Sequence, residues 1–92
     1  MLTIWKFSID TADTQVINVP RDGKILCIQV QQAIGPCLWI LVDSEAKLEP
    51  RTIEVFGTGH PISRETGVRR VYIGTYQLAN EQLVFHVFER LV

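Results

Sequence analysis

The string Gly57-Thr58-Gly59-His60-Pro61, followed by Arg64, Arg69 and Arg70, holds the densest set of chemically useful side chains in the chain. Two glycines one residue apart free backbone amides to face an anion. His60 can change charge near neutral pH, and guanidinium forks match phosphate or carboxylate oxygens. Gly57, Gly59, His60, Arg64, Arg69 and Arg70 therefore form the candidate binding loop, and the ligand they would take is anionic. The string is neither a P-loop nor a dinucleotide fingerprint, because it lacks the GK[ST] end, the third glycine and a following helix. The alternative is structural: the glycines shape a tight strand exit, His60 caps a turn, and the arginines belong to a solvated loop.

Elsewhere the chemistry is sparse. His60 and His86 are the two histidines, and neither the acids nor Cys27 and Cys37 stand at metal-ligand spacing from them, so no metal is expected. His86 sits between Phe85 and Val87, which suits a hydrogen-bonded histidine on a partly buried sheet face better than a catalytic base. Ser44 and Ser63 lack a nucleophile elbow, and no acidic pair is embedded in apolar sequence. The chain is expected to be no enzyme and to need no cofactor. The cysteines, ten positions apart in apolar segments, read as two buried thiols.

The elements that must position these groups follow a period of two. Trp5, Phe7 and Ile9 alternate with Lys6 and Ser8, predicting a strand over 2–9. A second strand is expected over 14–19. Pro20-Arg21-Asp22-Gly23 reads as a β-turn in which glycine takes the positive φ. A third strand spans 24–32, with Leu26, Ile28 and Val30 on one face. The nearly continuous apolar run from Cys37 to Val42 predicts a central strand covered on both faces. Residues 43–50 read as a loop ending at Pro50, and Thr52–Phe56 as a strand that stops at Gly57. The longest gap runs to Arg70. Strands over 71–78 and from Leu83 onward then join in a hairpin through Asn80-Glu81-Gln82. No helix of three turns is expected. The pattern predicts an all-β fold: about seven largely antiparallel strands in a sandwich or small barrel. Trp5, Trp39, Phe56, Tyr72, Tyr76, Phe85 and Phe88 lie on these strands. Such aromatics serve the core or cross-strand pairs, and any left on an outer face is an interface anchor.

Length and composition set the frame. Ninety-two residues, 47% hydrophobic and 21% charged, suit a single folded domain over 1–92. A formal net charge of −1 gives no global attraction to nucleic acid or an anionic membrane, so neither is an expected partner. No apolar run approaches a membrane span, and the start lacks the pattern of a secretory signal, which makes cytoplasm the expected compartment. A β domain this small must close or cover its strand edges, so a homodimer is expected.

The chain resembles a family of small proteins of unknown function carried by tailed phages and prophages. The resemblance rests most specifically on Gly57-Thr58-Gly59-His60-Pro61 and Phe85-His86-Val87-Phe88-Glu89. Ile4-Trp5-Lys6-Phe7, Val19-Pro20, Gly23-Lys24-Ile25-Leu26, Gln29-Val30-Gln31, Pro36-Cys37-Leu38-Trp39, Leu41-Val42-Asp43 and Tyr72-Ile73-Gly74-Thr75 add to it. It implies a phage or prophage origin and a place in the host cytoplasm, and no established activity. Accessory factors of that kind bind a host or phage protein, in some cases to block a defence system. The expected function is accordingly non-catalytic protein binding. The alternative is a small binder that sequesters an anionic metabolite or nucleotide through the Gly57–Arg70 loop.

Overall fold

The computed structural model describes all residues from Met1 to Val92. Seven strands form, and no helix: β1 (Leu2–Ser8), β2 (Thr14–Pro20), β3 (Lys24–Gln31), β4 (Gly35–Asp43), β5 (Leu48–Gly57), β6 (Arg70–Leu78) and β7 (Leu83–Arg90). There is thus no helix long and apolar enough to cross a membrane. Every paired neighbour is antiparallel. The strands make two sheets, ordered β1-β4-β3 and β2-β5-β7-β6, and do not close into a barrel.

The core lies between the sheets because each presents the apolar half of its alternation to the other. Ile28, Leu38, Ile40 and Val42 from the three-stranded sheet meet Val19, Ile53, Val55, Tyr76 and Val87 from the four-stranded one. Tyr76 stacks on Phe85, its cross-strand neighbour, with centroids 5.4 Å apart, and shares a 2.7 Å hydrogen bond with the Thr11 hydroxyl. Burial pushes the Tyr76 phenol above its ordinary pKa, and the Thr11 bond opposes that shift only partly.

Several details depart from the sequence pattern, each for a local reason. The run from Cys37 to Val42 is central to its sheet, but only its inner face is covered by the other sheet. Trp39 and Leu41 on the outer face are half-buried, and Lys6 extends to 6.0 Å from the Trp39 ring. A bulge between Ile25 and Cys27 puts Ile25 and Ile28 on the core side and turns Leu26 out to solvent, 44% exposed. Cys37 is buried, whereas Cys27 is only half-buried, and both are free thiols. In the turn after Pro20 the positive φ belongs to Asp22. Gly23 is needed for space instead, since a Cβ there would stand 2.7 Å from Val19 Cγ1.

Strand β5 starts at Leu48, four residues before the expected Thr52, and so contains Pro50. The Arg21–Lys47 and Val55–Asp13 backbone bonds show that odd-numbered residues of β5 turn their amides toward β2. Pro50 therefore faces the β7 side, where pairing begins only at Thr52, and its missing N–H removes no ladder bond.

Candidate functional site

The Gly57–Pro61 string closes on itself. The His60 N–H donates to the Gly57 carbonyl at 3.0 Å, and the Thr58 N–H donates to the Val84 carbonyl of β7 at 3.2 Å. The His60 ring lies over Gly57, where a Cβ would come within 2.8 Å of it, and Gly59 takes φ +85°. The amides of Thr58 and His60 are thus used inside the fold. What the glycines make possible is a strand exit stitched to the neighbouring hairpin.

The three arginines separate. Arg70 is the first residue of β6, not part of the loop, and its Nε donates to Glu54 Oε1 at 2.6 Å. Its Nη1 reaches the Ser63 carbonyl at 3.3 Å, and its guanidinium lies 5.7 Å from the Phe56 centroid. Arg64 and Arg69 are exposed. Arg64 and Arg70 line one shallow, open depression, together with Ser63 and Glu65. The Glu65 carboxylate accepts from the Ser63 hydroxyl at 2.9 Å and approaches Arg90 at 3.8 Å. Gly57, Gly59 and His60 share one turn, Arg64 and Arg70 share the depression, and Arg69 joins neither group. No cluster of three or more metal-ligating side chains is present.

A second arrangement lies on the outer face of the four-stranded sheet. Glu54 and Phe56 of β5, His86, Phe88 and Arg90 of β7, and Arg70, Tyr72 and Thr75 of β6 share that face by register. Phe56 meets Phe88 edge to face at 5.9 Å, and Tyr72 meets Phe88 likewise at 5.4 Å. Glu54, only 5% exposed, is held between Arg70 and, at 4.0 Å, Arg90. On the other side of the row a hydrogen-bond chain runs through Tyr72 Oη, Thr75 Oγ1, His86 and Thr58 Oγ1. Its steps are 2.5 Å, 3.0 Å at Nδ1 and 2.7 Å at Nε2. Both ring nitrogens of His86 are thereby engaged by hydroxyls, and no carboxylate orients the ring.

The sequence held a signal for this face. Glu54/Phe56, His86/Phe88/Arg90 and Arg70/Tyr72 each alternate polar or charged with aromatic residues at a spacing of two. Only the register shows that the three alternations share one surface. That surface sets aromatic rings, guanidinium groups and hydroxyls side by side.

The family model for a domain of unknown function, DUF7352, matches residues 1–92, and the chain belongs to that family. No curated protein and no solved structure matches it.

Proposed function

We infer that this chain is a non-catalytic binding protein of a phage or prophage, which docks on a host or phage protein in the host cytoplasm. The phage setting rests on the sequence strings that carry the resemblance. The binding role rests on one observation: Tyr72, 56% exposed, packs on Phe88 at the end of an aromatic row whose far member, Phe56, lies under the Arg70 guanidinium that Glu54 holds. Tyrosine and arginine dominate the energetics of protein interfaces, and an anchor held in place by its neighbours loses little entropy on binding. The loop beside this face carries Arg64 and Arg69 free to meet acidic groups at the rim.

Affinity capture from host and phage-infected lysates, with wild type, Tyr72→Ala and the Arg64→Ala/Arg69→Ala double variant, tests this. The expected outcome is a specific protein whose recovery falls by more than about tenfold with Tyr72→Ala, as for a hot-spot residue. The double variant should mainly slow its association. Equal recovery with all three forms overturns the assignment of this face. Binding of a nucleotide or phosphate metabolite that Arg64→Ala/Arg69→Ala abolishes would favour the sequestering alternative.

A further inference from the structure

Four strands end the two sheets, and they are unequally protected. β3 and β6 each carry a bulge, between Ile25 and Cys27 and between Tyr72 and Gly74. β2 ends at Pro20, which has no N–H to offer. β1 has neither bulge nor proline: it pairs with β4 without a register shift, and its single charge, Lys6, reaches across the sheet to Gln31 Oε1 at 2.9 Å and to the Trp39 ring, away from the open edge. A regular apolar edge of this kind is a template for another strand.

The ladder fixes which groups of β1 are free. The Ser44 N–H donates to the Met1 carbonyl and the Ile9 N–H to the Pro36 carbonyl, so odd-numbered residues turn their peptide groups toward β4. Leu2, Ile4, Lys6 and Ser8 turn theirs to solvent. The side chains beside this open edge are exposed too, at 70% for Leu2, 55% for Ile4 and 37% for Trp5.

We propose that β1 pairs antiparallel with β1 of a second copy, about a two-fold axis at Trp5, joining the three-stranded sheets of two chains into one sheet of six strands. A strand paired antiparallel with itself is self-complementary, as a two-fold interface must be. With Leu2 opposite Ser8 and Ile4 opposite Lys6, every outward peptide group from Leu2 to Ser8 finds a partner. A shift by two residues in either direction strands some of them, and in one direction sets Lys6 against its own copy. Trp5 then meets Trp5 in a non-hydrogen-bonded pair, where Cα atoms approach to about 4.5 Å and the indoles can pack. The exposed area agrees. The chain exposes 6234 Å², about 800 Å² more than the roughly 5,400 Å² of a compact monomer of its mass. Part of that excess lies along β1, where Leu2, Ile4 and Trp5 are exposed.

Sedimentation velocity at tens of micromolar should give a species of twice the 10.5 kDa chain mass. Ile4→Lys sets a like charge opposite Lys6 twice per dimer and should weaken association by about tenfold or more. Ile4→Glu, equally polar at the same exposed position, should retain the dimer at low salt and lose it as salt rises. Trp5→Cys under mild oxidation should give an inter-chain disulfide, since the paired Cβ atoms fall within bonding geometry. A monomeric wild type overturns the proposal. So does a dimer that Ile4→Lys and Ile4→Glu weaken equally, or one that Trp5→Cys does not cross-link. Circular dichroism of each variant separates lost association from lost folding.

Discussion

Glu89 and Glu54 are both buried carboxylates of the four-stranded sheet, one on each face, and arginine holds them in different ways. Glu89 faces inward and takes a two-pronged grip from Arg51, with Arg51 Nη2 donating to Oε1 at 2.9 Å and Nε to Oε2. Arg51 also donates from Nη1 to the Gly23 carbonyl at 2.8 Å, at the entry to the three-stranded sheet. The pair thus ties one sheet to the other, and its hydrogen bonds with Glu89 hold the Arg51 guanidinium above its ordinary pKa despite burial. Glu54 faces outward, shared by Arg70 and Arg90, and Arg70 continues to the loop at Ser63. An inward fork is a lock between layers. An outward, shared carboxylate steadies a surface and the loop beside it.

Breaking the inward fork should have the largest effect. Arg51→Ala leaves Glu89 buried without its partner and should cost about 3–5 kcal/mol of unfolding free energy in a denaturant titration. If the loss is under about 1 kcal/mol, the fork does not lock the sheets. Arg70→Ala should cost less, about 1–3 kcal/mol, because Arg90 remains near Glu54. Its signature should be local: faster amide exchange over residues 61–69, with the β4 and β5 amides still protected. Uniform loss of protection would mean that the outward cluster is as structural as the inward one.

The smallest effect concerns pH. Because the folded-state pKa of Tyr76 is raised, the stability it contributes is complete below the unfolded value of about 10 and is lost as pH rises through the folded value. Alkaline titration should therefore show late phenolate absorbance coupled to unfolding. Tyr76→Phe should remove that step, at a cost of about 1 kcal/mol at neutral pH for the lost Thr11 bond. An unchanged alkaline transition in Tyr76→Phe would assign it to another group.

Much of the fold was legible from alternation alone. The β6–β7 hairpin, with Phe85 and Val87 turned from His86 and Phe88, follows directly from it, because a strand of period two has only two faces. The His86 environment was legible for the same reason, whereas its threonine partners lie 11 and 28 positions away. Bulges were not legible. One extra residue at Leu26 or Ile73 fits any apolar run, and only the facing strand decides which residue is turned out. The start of β5 was hidden by Pro50, which is tolerated because β7 has already ended on its open side.

By itself the sequence determined the class of structure and the number and order of the strands, since backbone sterics and side-chain alternation act over a few residues, while the starts of β4 and β5 lay earlier than the pattern shows. It also brought Gly57, Gly59 and His60 together, being contiguous. Tertiary structure alone decided that Arg70 would leave the loop arginines for Glu54, that the aromatics of β5, β6 and β7 would form one row, and that β1 would end its sheet as a regular strand. Those outcomes depend on strand order and register, which are set by how two apolar faces pack together and not by any one segment's preference.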